Sequence, residues 1–117
     1  MPERRHRLLI VDDDLDTREL LAEALSDEFE VIAVGDAQAA LTALETFAAD
    51  VVLTDESLPG MRGAELAAVL KRRPDPPRVI LFSGHLTIPG AEAADLILRK
   101  PLDLPELHQA VATQALH

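Results

Sequence analysis

Residues 51–60 read VVLTDESLPG: three aliphatic residues and a threonine run straight into two acids and a Pro-Gly turn. A short apolar run bounded by turn residues is what a strand covered on both faces requires. The acids at its end therefore need a reason to be there. Related runs recur on either side: RLLIV (7–11), FEVIAV (29–34), DVVLT (50–54), RVILF (78–82) and DLILR (95–99). All are nearly continuous rather than alternating, the pattern of parallel strands buried between two layers.

Helical segments lie between the runs. Asp14 can cap a helix through about Ser26 with Leu20, Leu21, Ala24 and Leu25 at core spacing. Asp36 can cap a second that carries Ala37, Ala40, Leu41, Leu44 and Phe47 inward. A third, from Ala64 to Arg72, buries Leu66, Val69 and Leu70. Asp103-Leu104-Pro105-Glu106 reads as a capping box that opens the last helix, with Leu107, Ala110 and Val111 inward. Repeated strand-helix units predict a doubly wound α/β sheet with right-handed crossovers. In such sheets the ligand site lies beyond the carboxyl ends of the strands. Asp55 stands at one of those ends.

Bulk properties narrow the function. A chain of 117 residues is read as one domain, long enough to bury about two-thirds of the surface its unfolded form exposes. There is no cysteine, so disulfides and thiolate metal sites are excluded. No apolar run of membrane-spanning length and no signal peptide is legible, and the expected location is the cytoplasm. The 21 acids against 11 lysines and arginines give a formal net charge of −10, which repels phosphate backbones and argues against direct nucleic-acid binding. Arg4, Arg5 and Arg7 read as a solvated arm, and Lys71-Arg72-Arg73 as cations at a helix C-terminus.

At the edge that holds Asp55, the first strand ends in Asp12-Asp13-Asp14, the fourth in Phe82-Ser83-Gly84 and the fifth in Arg99-Lys100-Pro101. Taken singly, each has a plain reading: Asp14 a helix cap, Ser83 a turn hydroxyl, Lys100 a solvated lysine, His85 a loop residue. Together they form a constellation. Carboxylates of Asp12, Asp13 and Asp55, without cysteine or a suitably placed histidine, suit a hard cation such as Mg²⁺. A carboxylate can also attack phosphorus, and Asp55 is the candidate nucleophile. After such a transfer Asp12 and Asp13 would carry about two negative charges and the phosphoryl roughly two more. A divalent ion with the Lys100 ammonium would nearly balance them. Ser83 can hydrogen-bond a phosphoryl oxygen, and Gly84 lets its backbone N–H approach closely.

The chain resembles the receiver domains of bacterial two-component response regulators over essentially residues 1–117. LLIVDDD, VVLTDESLPGMRG, FSG and RKPL carry the resemblance. It implies a flavodoxin-like (βα)5 fold with strand order 2-1-3-4-5, and a phosphoryl group accepted on Asp55 from a histidine kinase or histidine phosphotransfer protein. It further implies Mg²⁺ bound by Asp13, Asp55 and the Ser57 carbonyl with Asp12 acting through water. The phosphoryl group would be met by Lys100, Ser83 and the backbone N–H groups of Glu56 and Gly84. The Lys100-Pro101 peptide is expected to be cis, and the output is expected through contacts with a downstream protein rather than catalytic turnover. Two other readings remain open: a pseudo-receiver acting as a constitutive binding module, and a Mg²⁺-dependent phosphatase, which wants an acid where Ser57 stands.

The chain departs from the family in three places. About a dozen residues join the fourth and fifth strands, near the lower limit for a parallel crossover. They include Pro89-Gly90, so a helix of about a turn and a half, from near Pro89 to Ala94, is expected in place of a full fourth helix. Ile97 stands where the family usually carries Tyr or Phe, and Arg62 where an acidic or small polar residue is common, a change read as minor. The short crossover is expected to leave Val79, Leu81, Leu96 or Leu98 thinly covered, so that a partner or a second copy, giving a homodimer, packs there.

Overall fold

In a computed structural model, which describes residues 5–85 and 87–116, five parallel strands form one sheet in the order β2-β1-β3-β4-β5. The strands are β1 (Arg7–Val11), β2 (Glu30–Val34), β3 (Val51–Asp55), β4 (Arg78–Ser83) and β5 (Leu96–Arg99). The helices are α1 (Leu15–Leu25), α2 (Ala37–Ala43), α3 (Gly63–Lys71) and α4 (Leu104–Ala115), with a 3-10 turn at Ala91–Ala93. The expected strand order is the one found. Arg4 of the basic arm lies outside the described residues.

Alternate residues of the strands feed two cores, as the two-residue period of a strand dictates. Leu8, Ile10, Leu53, Ile80 and Phe82 pack with Leu21, Leu25, Leu107 and Val111 of α1 and α4. Leu9, Val11, Val52 and Val79 pack with Ala37, Ala40, Leu66, Ala67 and Leu70 of α2 and α3. Each fully buried aliphatic side chain contributes about 1.5–3 kcal/mol. This is why the sheet can carry a row of charges at one edge and still fold.

Three helix starts follow the sequence. Asp14, Asp36 and Asp103 each accept a backbone N–H three residues on, from Thr17, Ala39 and Glu106. Three expectations about the helices are corrected. Leu20 is 55% exposed, because Leu21 and Leu25 take the inward stripe and Leu20 falls outside it. Val69 is partly exposed, and Ala64 and Ala67 share the buried face of α3 instead. Phe47 is buried from the turn after α2, which ends at Ala43.

The fourth crossover is shorter still than expected. Gly90, with φ +80°, turns the chain into the 3-10 turn rather than a helix of a turn and a half. The thin cover expected over β4 and β5 is not found at Val79 and Leu81, which are fully buried, or at Leu98, 7% exposed, while Leu96 is partly exposed. Ala93 and Ala94 settle on the α3-side core, and Leu96 and Leu98 point to the opposite face, against α4's core. The missing helix shows at Ile97 instead, 44% exposed on the edge strand.

Asp95 closes this end of the sheet. Its carboxylate accepts the Val79 N–H at 2.7 Å and pairs with Lys71 and Arg78. Burial alone would raise its pKa, but hydrogen bonds from Lys71, Val79 N–H and Arg78 outweigh burial and hold it below the usual carboxylate value. A depressed folded pKa stabilises above the unfolded value near 3.9 and ceases to do so as pH falls through the folded one. Asp95→Ala should therefore lower the unfolding free energy by about 1–3 kcal/mol near neutral pH. Urea melts repeated in acid should show the gap between the two proteins closing.

Candidate functional site

The parallel register brings the ends of β1, β3 and β4 to one rim: Val11 pairs with Thr54, and Asp55 with Phe82. Asp12 and Asp55 are buried, 2% and 5% exposed, while Asp13 faces solvent. One carboxylate oxygen from each of Asp12, Asp13 and Asp55 lies within 4.8 Å of the other two. Lys100 Nζ is 3.1 Å from Asp55 Oδ2 and rides 5.4 Å from the centroid of the Phe82 ring, a cation-π seat beneath the ammonium. The Lys100-Pro101 peptide is cis, and the Lys100 N–H donates to the Ser83 carbonyl at 2.9 Å, which ties the lysine to the hydroxyl residue.

The electrostatics are unfavourable as they stand. Asp12 Oδ1 accepts the Asp14 N–H at 2.9 Å, but Oδ2 is buried without a hydrogen-bond partner. Burial pushes the Asp12 carboxyl up in pKa, and the charges of Asp55 and Asp13 add to the push; the Asp14 N–H and Lys100 oppose it without cancelling it. A folded pKa above the unfolded one means that ionised Asp12 opposes folding at neutral pH, an opposition that vanishes below the unfolded value. Three carboxylates facing a single ammonium, an all-oxygen donor set with one orphaned oxygen, fit a hard divalent cation, so the residues present suit Mg²⁺.

The expected site residues do not all meet. Asp12, Asp13, Asp55 and Lys100 do, and Ser83 stands one position beyond Asp55's partner Phe82. Ser83 Oγ accepts the His85 N–H at 3.0 Å, which leaves its hydroxyl hydrogen to donate elsewhere. Gly84 is exposed, with nothing within 4 Å of where a Cβ would stand. Glu56 is the correction. Its backbone N–H, expected to face a phosphoryl group, donates to the Phe82 carbonyl at 3.0 Å as a last rung of the ladder. The amide at the carboxylate is that of Ser57, which donates to Asp55 Oδ1 at 3.1 Å.

Glu56 has a different task. Its side chain turns under α3, where Oε1 accepts the Ala64 N–H at 2.8 Å and Oε2 pairs with Arg62 at 2.7 Å. Arg62 Nη1 also reaches the Pro89 carbonyl at 3.2 Å, so the arginine read as a minor change bridges Glu56 to the short crossover. Gly63 is required here: a Cβ would stand 2.4 Å from the Asp55 carbonyl. The sequence held a signal for this pairing. Glu56 and Arg62 flank the turn before α3 with opposite charge, and Arg62 is followed three positions later by Glu65, which accepts its N–H.

Compared with known families, residues 8–112 match the response regulator receiver domain. The chain is 38% identical over 112 residues to the DNA-binding response regulator MtrA of Mycobacterium tuberculosis, a match covering 92% of this chain and 49% of the relative. The chain thus spans about half the length of that curated relative. Among solved structures, the signal receiver domain of an HD domain-containing protein from Pseudomonas fluorescens Pf-5 superposes with a TM-score of 0.88 at 27% identity, covering 100% of this chain and 91% of that one. The CheY-like response regulator receiver domain from Methylobacillus flagellatus gives 0.84 at 28%, covering 94% and 98%.

Because ionised Asp12 opposes folding, Asp12→Asn should make the metal-free protein more stable, by about 0.5–2 kcal/mol in urea melts. Mg²⁺ at about a hundred times its dissociation constant should stabilise the wild type by ~2.7 kcal/mol and the variant by much less.

Proposed function

This chain belongs to the response regulator receiver domain family of two-component signalling, and we propose that within it the chain is a phosphoacceptor switch that takes a phosphoryl group on Asp55 from a phosphohistidine. The convergence of three carboxylates with the Lys100 ammonium carries this reading. Asp12, Asp13, Asp55 and the Ser57 carbonyl are the groups that would hold Mg²⁺. When bound, the ion supplies the positive charge that lets an anionic phosphoryl approach an anionic nucleophile.

In the proposed transfer a carboxylate oxygen of Asp55 forms a bond to phosphorus as the bond from phosphorus to the imidazole nitrogen breaks. The electron pair of the broken bond stays on that ring nitrogen, and with a proton on the other ring nitrogen the donor leaves as a neutral imidazole, so no acid within this chain is needed to discharge it. The Phe82 ring beneath Lys100 keeps its ammonium at Asp55, poised to pair with a phosphoryl oxygen once the carboxylate is esterified. Ser83, its oxygen already accepting from His85, has its hydroxyl hydrogen free for another phosphoryl oxygen. The exposed Gly84 N–H lies next in the chain.

A protein phosphodonor is supported by an apolar groove of about 700 Å³ beside Lys100, lined by Leu20, Leu21, Pro101, Leu102 and Leu104. The donor proposed is a histidine kinase or phosphotransfer protein, and the output a contact with a downstream protein. No helix among the described residues is long and apolar enough to cross a membrane. Ile97 and the 3-10 turn favour a second reading, a binding module that keeps the fold without using the site.

Acetyl phosphate with Mg²⁺ should add one phosphoryl group, read by intact-protein mass spectrometry, and Asp55→Asn should abolish the addition. Incorporation that survives the substitution would overturn the assignment of Asp55. Wild-type protein that binds Mg²⁺ yet takes up no phosphoryl would favour the binding module.

A further inference from the structure

Arg18, half-buried on α1, sends Nη1 to the backbone carbonyl of Asp12 at 2.9 Å. On the other side of the same guanidinium lies Gly35, just past β2. A Cβ on Gly35 would stand 2.8 Å from Arg18 Nη1 and 3.7 Å from its Cζ, and among the described residues beyond its chain neighbours no other heavy atom would lie within 4 Å. The φ of Gly35 is not in the left-handed region, where Gly60 and Gly90 lie, so the backbone places no demand for glycine there. What the missing side chain admits is the guanidinium. The Asp12 N–H meanwhile donates to the Val34 carbonyl at 3.0 Å, so the residue is held from β2 on one side and from Arg18 on the other.

The carbonyl that Arg18 holds belongs to the peptide linking Asp12 to Asp13. A peptide group is planar, so fixing its oxygen fixes the direction in which the chain enters Asp13. Asp13 is exposed, and the entry of the chain into it sets where its carboxylate starts from. A guanidinium is a planar donor that spans two walls, which a lysine ammonium does not reproduce.

We propose that Arg18, seated on Gly35, is a positioning residue for the cation site, holding the Asp12-Asp13 peptide so that both carboxylates face Asp55. The inference rests on the reading of that cluster as a divalent-cation site. Charge and positioning predict opposite signs here. As a nearby cation Arg18 repels Mg²⁺, so if charge were its whole effect, its removal would tighten binding; if it positions the acids, its removal weakens binding.

The test compares wild type, Gly35→Ala, Arg18→Met, Arg18→Lys and the Gly35→Ala/Arg18→Met double variant. Two readouts are taken: Mg²⁺ titration calorimetry on unphosphorylated protein, and amide hydrogen exchange at Asp14 without metal. Gly35→Ala keeps the charge and displaces the guanidinium, and should weaken Mg²⁺ binding about tenfold, in the range known for groups that orient metal ligands. Arg18→Met and Arg18→Lys should do likewise, and the double variant should be no worse than Arg18→Met, because Gly35 acts through Arg18. Asp14 exchange should quicken in every variant. Unchanged affinity in Gly35→Ala, tighter binding in Arg18→Met, or an additional loss in the double variant would overturn the proposal. Should Arg18→Met fail to fold, Gly35→Ala and Arg18→Lys decide alone. Wild type that binds no Mg²⁺ would sink the cation-site reading instead, and Asp14 exchange would still show whether Arg18 holds the loop.

Discussion

Like charge held together in a nearly dry place is the constraint on which the rest of this structure depends. Asp12 and Asp55 are buried, Asp13 joins them, and the Lys100 ammonium supplies the close countercharge. A sheet of parallel strands makes such an arrangement reachable, because every strand delivers its carboxyl end to the same rim. Two cores, one on each face, make it tolerable, since the stability they supply exceeds the local repulsion. The orphaned Asp12 oxygen shows that the repulsion is not relaxed within the protein's own hydrogen bonds. Strain of this kind collects where a ligand is to be met.

The two acids that close VVLTDE divide the work. Asp55 faces the rim, and Glu56 faces the scaffold. Consecutive strand residues point to opposite sides, so an acid pair at a strand end places one carboxylate in the site and the other beneath the following helix. Glu56 uses that position to satisfy the Ala64 N–H and to seat Arg62, whose reach to Pro89 binds the short fourth crossover to the start of α3. The opening turn of α3 can come that close because Gly63 has no side chain. Thus the site's neighbour, the helix and the crossover are mechanically continuous, and the short crossover between β4 and β5 leaves β4 buried and, among the described apolar residues of those two strands, exposes Ile97.

Much of this was legible beforehand. Continuous apolar runs and aspartate caps placed the five strands and three of the helix starts to within a residue or two, because burial period and capping are local effects. The carboxylates and Lys100 were legible because strand ends share an edge in this architecture. Leu20 was misplaced because adjacent leucines on a helix compete for one inward stripe, and spacing does not say which is seated. The expectation of thin cover over β4 and β5 follows from the crossover's length, which the sequence displays, whereas the landing place of Ala93 and Ala94 is set by packing. Glu56 was given to the site because its backbone follows Asp55, whereas its N–H was already spent on Phe82.

The sequence by itself determined the fold, the receiver family resemblance and the acids and amine of the rim, since each follows from residue type, spacing and chain order. The tertiary structure decided how those groups are held: the Phe82 ring under Lys100, the Arg62 bridge, and the guanidinium of Arg18 lodged over Gly35. These contacts join segments that are distant along the chain, and their partners are settled by which surfaces the packed helices bring together, a matter of three-dimensional closure that no local pattern encodes.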